Sequence, residues 1–302
     1  MEIRQLKYFI VAAKHLNFTK AARECNIVQT AMTQQVANLE NELKVKLFER
    51  THRNLSLTAA GERFVKDAKK IINQAKAAAE DMEEFKEGYD HVIRIGYHGE
   101  MFKKDLTEIL KEFRKANPKT KVYLSQEPQD QLMESLEYGE LDIVFTIYGS
   151  FFKSLDWMEW EILDENKVKL VVSAQHRLLE KEKVTKEDLQ SEQFIDFEER
   201  NREEREILRL QEGLVFPNYC LVTDHASGEI LIESGYGVAF WMDRLCDPAR
   251  YPNLRFIDIE GNRDIAKTCV AYRREDISLQ CRLLLEYIRD YEHVRAKTPH
   301  MS

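Results

Sequence analysis

Between Gln29 and Asn38 the chain carries short, uncharged side chains able to donate and accept hydrogen bonds. Thr30, Thr33, Gln34 and Ala37 share one helical face, with Gln29 near its edge. Met32, Val36, Leu39 and Leu43 fall on the opposite face. Gln can pair with adenine, and Thr can hydrogen-bond or touch a thymine methyl. Lys and Glu, usual on a solvated helix face, are missing from this stretch. Two readings stand side by side: an ordinary surface, or a recognition helix laid against base edges in a major groove. Downstream, Arg50 and Arg53 are of the type that holds backbone phosphates, which sets affinity and register rather than sequence.

The elements that must position these groups are legible around them. Thr19-Lys-Ala-Ala opens a first short helix, with Thr19 expected as its N-cap. Cys25 to Val28 makes a turn, and a second helix runs from Gln29 to about Glu42. Leu47 to Thr58 alternates and turns at His52 to Asn54, which predicts a two-stranded wing with Arg50 and Arg53 near its tip.

Residues 3–65 resemble the N-terminal domain of LysR-type transcriptional regulators. The resemblance rests on Leu6, Tyr8-Phe9, Phe18-Thr19, Ala21-Ala22, Gln29, Ala31, Leu39-Glu40, Leu43, Leu47-Phe48, Arg50, Arg53, Leu57-Thr58 and Ala60-Gly61. Four positions depart from the family pattern. Val28 stands where a Ser usually caps the recognition helix, Thr30 where a Pro is usual, and Lys44 where a Gly ends the helix. Gln34 replaces a common Arg, removing one guanine or phosphate contact.

With 302 residues the chain is long enough for two or three compact units. About a third of its residues are charged, no apolar run suits a bilayer, and Met1 to Ala13 reads as an amphipathic first helix rather than a signal peptide. A cytoplasmic location is expected. The formal net charge of −8 argues against nucleic acid, but its distribution does not. Residues 1–60 hold nine Lys/Arg against five Asp/Glu, leaving 36 against 48 for the remainder. A basic head on an acidic body suits a DNA-binding module attached to something else. Five cysteines at 25, 220, 246, 269 and 281 show no C-x-x-C spacing, which suggests reduced thiols; a redox-sensing pair is the alternative. No metal site, cofactor or catalytic constellation is expected: P-loop, G-x-G-x-x-G, G-x-S-x-G and H-E-x-x-H are absent.

Thr58 should cap a long helix over Ala59–Glu87, ended by Gly88. Phe64, Ala68, Ile71, Ala75, Ala78, Met82 and Phe85 recur at four and three residues, a heptad seam expected to pair with a second copy. Packing on its own body is the competing arrangement. From His91 onward short strands alternate with helices, which argues for parallel α/β units. This portion resembles, more loosely, the family's effector-binding domain, with the two-lobed fold of type 2 periplasmic binding proteins. The matches include Arg94-Ile95-Gly96, Gly139-Glu-Leu-Asp142, Ser234-Gly235-Tyr-Gly-Val238 and Tyr272-Arg273-Arg274.

The expected fold is therefore α/β: a mainly α winged helix-turn-helix head at 1–58, a linker helix at 59–90 and an effector domain at 91–302. By the resemblance, lobe one is 91–161 with 266–302, and lobe two is 162–265. What the resemblance implies is a homodimer, paired into a dimer of dimers, on an imperfect palindrome of double-stranded DNA. It is switched by a small-molecule effector and touches RNA polymerase. A solute-binding transport protein and an α/β enzyme are the rivals; the first would need an export signal and no basic head, the second a reactive constellation. Ligands of open α/β sheets sit at the carboxyl ends of strands. That places His98, Gly99, Glu100, Gln129, Thr146, Phe197, Glu198, Asp224 and His225 as effector-site candidates. Glu100 and Asp224 would repel an anion at a helix N-terminus, favouring a neutral or cationic effector rich in donors. The alternatives are that both merely cap helices, or that Arg200 and Arg202 recruit an anion.

Overall fold

The computed structural model describes residues 1–50, 55–197, 218–262, 265–275 and 277–297, without the side chains of Arg50 and 294–297. The turn at His52 to Asn54, Arg53, Glu198, Arg200, Arg202 and the charged helix expected at 203–211 lie outside the described residues. The chain divides into two units: Met1–His91, taking in Glu137–Glu140, and the remainder from Val92.

The first unit opens with three helices, α1 (Ile3–His15), α2 (Phe18–Glu24) and α3 (Gln29–Leu43). A two-stranded wing follows, β1 (Phe48–Arg50) antiparallel to β2 (Leu55–Leu57), and then the long helix α4 (Ala59–Lys86). Leu6, Phe9 and Ala12 of α1, Ala21 and Ala22 of α2, and Met32, Val36 and Leu39 of α3 form one buried core with Leu47 and Phe48. The N-cap of α2 is Asn17, whose side chain accepts from Lys20 N at 3.0 Å, not Thr19, which sits inside the helix. Asn17 is two residues upstream, where the backbone is still extended, as an N-cap requires.

Thr58 caps α4 as expected, accepting from Gly61 N at 2.9 Å and donating to the Lys46 carbonyl at 2.7 Å. A Cβ on Gly61 would lie 2.1 Å from the Leu47 carbonyl oxygen, so only glycine lets α4 start this close to the wing. The heptad seam divides. Phe64, Ala68 and Ile71 pack into the head's own core, with the Phe64 ring 5.3 Å from Phe9 and Ala68 fully buried. That corrects the expectation of one unbroken stripe for a partner: apolar periodicity shows that a face must be covered, not by what. Ala75, Ala78, Met82 and Phe85 remain exposed.

The second unit is built on β3 (His91–Tyr97), α5 (Lys103–Ala116), β4 (Thr120–Gln126), α6 (Gln129–Glu137), β5 (Ile143–Ile147) and β6 (Met158–Ser173). It continues with β7 (Gln193–Phe197), β8 (Asn218–Val222), α7 (His225–Glu233), β9 (Ala239–Met242), β10 (Leu254–Ile257), β11 (Ile265–Arg273) and α8 (Leu279–Lys297). The main sheet runs β10-β6-β11-β5-β3-β4, with β9 also on β6; β7 and β8 pair separately. It is mixed, not wholly parallel. β3–β5 and β7–β8 are parallel, while β6, β9, β10 and β11 make antiparallel pairs.

The 16-residue β6 ties the unit together. Its first part pairs with β11, which also carries β5; its last part pairs with β9 and β10. Two apolar centres follow from that division. One gathers Ile93, Ile95, Phe113, Phe145 and Val270 under α5 and α8; the other gathers Val168, Leu170, Val172, Phe194 and Phe240. Arg273 on β11 donates to the carbonyls of Leu136 (2.9 Å) and Leu141, and Asp142 accepts from Arg94 N at 2.8 Å. Among the described residues no helix is long and apolar enough to cross a membrane, and no cluster of three or more His, Cys, Asp or Glu is placed to hold a metal.

Candidate nucleic-acid interface and effector cavity

On α3 the expected base-reading residues divide by exposure. Gln29, Thr30 and Gln34 are exposed, and Gln34 Nε2 donates to Asn38 Oδ1 at 2.8 Å, which steadies two amides one turn apart. Thr33 is half-buried with its hydroxyl turned inward and unpartnered, so its hydroxyl is not part of the outer face. Sequence periodicity places a residue on a face but does not choose its rotamer.

What fixes the helix against the wing is Glu40, only 3 % exposed. Its Oε1 accepts from Leu47 N (2.8 Å) and Phe48 N (3.1 Å), and its Oε2 from Lys46 Nζ (3.1 Å). Burial works to raise its pKa, but the Phe48 and Leu47 amides and Lys46 together hold it below the usual carboxylate range. Glu40 entered the sequence reading only as a family match. The signal for its role was a carboxylate one turn after Val36 and beside Leu39, on the buried side of the helix.

The ends of α3 are as irregular as the sequence implied. Val28 supplies no side-chain cap and is 68 % exposed, and Lys44 closes the helix in the left-handed region at φ 55°. Val28→Ser and Lys44→Gly should therefore each raise the unfolding free energy by about 1 kcal/mol. Urea denaturation of the two variants checks this; a loss of stability in Lys44→Gly would contradict the strain ascribed to that residue.

In the second unit a cavity of about 230 Å³ opens where strand ends converge. Four residues after β3, His98 to Met101, form one wall, and Gln126 to Pro128 after β4 another. Ile147 closes β5, and Thr223 to His225 lead from β8 into α7. Phe240, Trp241, Met242 and Leu245 supply an apolar side. His98, Gly99, Glu100, Asp224 and His225 are thus brought together as the strand-end rule expects. Gln129, Thr146 and Phe197 are not among the lining residues. Gln129 is buried and donates to the Ile147 carbonyl at 2.8 Å, and Thr146 is fully buried within β5. Adjacent residues of a strand point to opposite sides, so Ile147 and Thr146 cannot share a face.

The two carboxylates singled out in the sequence are already engaged. Asp224 caps α7, accepting from Ser227 N (2.8 Å) and Oγ (2.7 Å) and from Thr223 Oγ1 (3.1 Å). Those bonds, the Ser227 amide first, hold its carboxyl below the usual range. Glu100 accepts from Arg250 Nη2 at 2.9 Å, and that guanidinium lowers its pKa against the opposing cost of burial. Capping is the plainer of the two roles considered for Asp224; for Glu100 the partner is an arginine 150 residues away, invisible to local reading.

Behind the cavity wall, Arg244 binds Asp105 of α5 and donates to Thr268 Oγ1 at 3.4 Å, while Tyr291 Oη donates to Asp105 Oδ1 at 3.0 Å. His225, Trp241 and Tyr251 form an aromatic cluster, His225 tilted on Trp241 with ring centroids 4.4 Å apart and Tyr251 edge-to-face with Trp241 at 5.2 Å. All five cysteines are free thiols. Burial pushes Cys246 up to about 12 and Cys281 up to about 11, which keeps them protonated and poorly nucleophilic near neutral pH.

A winged helix-turn-helix head with an α/β cavity domain defines a ligand-responsive DNA-binding protein by architecture. Residues 3–62 match the bacterial regulatory helix-turn-helix proteins of the lysR family, and residues 86–292 match the LysR substrate binding domain. The chain belongs to the LysR family of transcriptional regulators. AlsR of Bacillus subtilis (strain 168) is 34% identical over 197 residues, which span 65% of this chain and 64% of AlsR, just under two thirds of that relative. ClcR of Pseudomonas putida is 28% identical over 282 residues, 92% of this chain and 95% of ClcR. Among solved structures, full-length CbnR complexed with its target DNA matches at TM-score 0.62 and 25% identity, covering 96% of this chain and 100% of that one. Full-length BenM matches at TM-score 0.58 and 22% identity over the whole of both chains, a likeness of fold.

Proposed function

We propose that this chain is a cytoplasmic, non-catalytic transcription regulator in which a small molecule in the cavity biases how a DNA-bound assembly is arranged. The carrying observation is the uncharged outer face of α3, where Gln29, Thr30 and Gln34 are exposed, within the LysR family. CbnR, whose structure includes its target DNA, supports double-stranded DNA as the partner. Gln29, Thr30 and Gln34 face bases, and Thr33 contributes apolar contact. Arg50 and Arg53 hold phosphates. Functional boundaries follow the reading 1–58, 59–90 and 91–302, the last in lobes 91–161 with 266–302 and 162–265.

Arg53→Ala should weaken binding on specific and random DNA alike and flatten the salt dependence by about one unit of slope. Gln29→Ala should instead change which base is preferred at one position. Fluorescence anisotropy on operator variants across a salt series reads both effects. Identical consequences for specific and random DNA in the two variants would sink the assignment.

Dimerisation uses the exposed end of α4, and pairs of dimers place recognition helices about one DNA turn apart on an imperfect palindrome. RNA polymerase is the further partner. Met82 is 59 % and Phe85 61 % exposed, an expensive arrangement for a lone helix. Phe85→Glu should shift sedimentation toward a smaller species, whereas an unchanged oligomer would remove α4's exposed end from the interface.

The effector site comprises His98, Gly99, Glu100, Asp224 and His225 on the wall, supported by the buried Gln129 and Thr146, with Phe197 and Glu198 as further candidates.

A further inference from the structure

We infer that Glu100 and Arg250 form a clasp across the mouth of the cavity, held shut by one exposed ion pair and released by turning about a bulge between β6 and β11. Its regulatory meaning rests on the cavity being the effector site; its geometry does not. The second unit packs around separate apolar centres, and β6 and β11 carry the chain from one to the other. Leu163, Val270 and Tyr272 pack with the centre under α5 and α8, whereas Val168, Leu170 and Ala266 pack with the centre that holds Phe240. Between them the pairing slips at Leu163: Asp164 faces Thr268, but Ile162 faces Cys269. A bulge leaves one residue without a cross-strand partner and bends its strand, which makes this the pliant point between the two sides.

Two arginines also join the sides, and they differ in exposure. Arg244 sits at the bulge, donating to Thr268 Oγ1, with its guanidinium carbon 5.6 Å from the centre of the Phe102 ring. Its pair with Asp105 is buried, so parting those charges is costly and the contact acts as a fixed pivot. Arg250 donates from Nη2 to Glu100 Oε2 at 2.9 Å, and these side chains are 47 % and 30 % exposed. Glu100 lines the cavity, so this exposed contact stands where the cavity meets solvent. An ion pair so open to water contributes little and parts readily. Arg250 is anchored on the far side: its guanidinium carbon lies 5.2 Å from the ring centre of Tyr251, which is buried with Trp241 and Val171. Glu229 of α7 also acts on Arg250 with its negative charge, which offers the guanidinium a second carboxylate once Glu100 lets go. One cation with two seats is the kind of contact that a two-state device requires.

An Ile147→Cys thiol reports opening, since Ile147 lines the cavity and is 3 % exposed. Its alkylation by iodoacetamide in the full chain, resolved peptide by peptide by mass spectrometry, tracks the open fraction, with Cys25, Cys269 and Cys281 as internal references. Met101→Cys, also on the wall, is the reporter should Ile147→Cys fold poorly. Adding Arg250→Gln or Glu100→Gln should speed alkylation about two- to fivefold, and both together no more than either alone. In 1 M sodium chloride the parent should approach the Arg250→Gln rate, which itself should change little, because screening removes the contribution of the same pair. An unchanged rate in Arg250→Gln would overturn the clasp. So would parallel acceleration of Cys269 and Cys281, which marks loosening of the whole unit, or multiplying effects of the two substitutions. No ligand enters the measurement, so a failed clasp leaves the effector reading of the cavity standing, and an effector bound elsewhere leaves the clasp standing.

Discussion

Arg244→Met should destabilise the cavity-bearing unit by about 3–4 kcal/mol, the largest single loss expected in the molecule. The pair it breaks is buried, with side-chain exposures of 12 % for Arg244 and 5 % for Asp105. Removing the guanidinium leaves the Asp105 carboxylate inside protein without the cation it is paired with, while Tyr291 Oη still donates to it. An uncompensated buried charge costs more than the pair was ever worth, because desolvation is no longer offset. The double variant Asp105→Asn with Arg244→Met should therefore recover much of the loss. Arg244 follows Met242 and precedes Leu245, both on the cavity wall, and Asp105 lies four residues after Met101. The single variant should loosen that wall before it unfolds. Urea denaturation followed by tryptophan fluorescence reports on this unit, since Trp157, Trp160 and Trp241 all lie in it. A loss below about 1 kcal/mol would show that water reaches the carboxylate and that the pair is a surface feature.

Glu40→Ala should remove about 3 kcal/mol from the head and abolish tight DNA binding with it. Two backbone N–H groups, of Leu47 and Phe48, would be left buried without acceptors, each costing about 1–3 kcal/mol. Because those groups start the wing, its register against α3 would be lost together with the stability. Glu40→Gln keeps one acceptor oxygen and should cost less. The pH dependence separates charge from shape. The folded pKa of Glu40 lies below its unfolded value, so its contribution is complete above the ordinary glutamate value of about 4.3. It fades as pH falls from there through the depressed folded value. Wild type should thus lose stability along this acid limb, and Glu40→Gln should show a flatter one. Parallel acid limbs in the two proteins would mean that the carboxylate's charge contributes nothing.

How far the sequence could be read depends on how local each feature is. The head was legible because its helices and wing follow short-range spacing, and α3 begins and ends within a residue of the expected bounds. Asn17 was missed as a cap because Thr19, two residues on, has the same chemistry, and only backbone conformation tells them apart. The first half of β6 is not legible in the sequence because Met158 to Lys167 is rich in charge. Its strand character comes from pairing with β11, a hundred residues away in sequence. β10 is illegible for the same reason, being a short run defined by its register on β6. At the cavity, the strand ends were found from topology, whereas the partners of its carboxylates were not. Glu127 differs from Glu100 and Asp224 only in its partners, and those are Ser135 in one case and Arg250 and Ser227 in the others.

The division of labour on α3 has an evolutionary side. Folding depends on Met32, Val36, Leu39 and Glu40, whereas Gln29, Thr30 and Gln34 hold nothing in the core. Surface changes away from structural contacts usually alter stability by less than about 0.5 kcal/mol. Mutations at the three outward positions are therefore nearly invisible to selection for folding. A duplicated gene could drift through many operator preferences there without passing through an unfolded ancestor. Conversely, the same freedom offers an engineer a small library, three codons wide, in which almost every member should still fold.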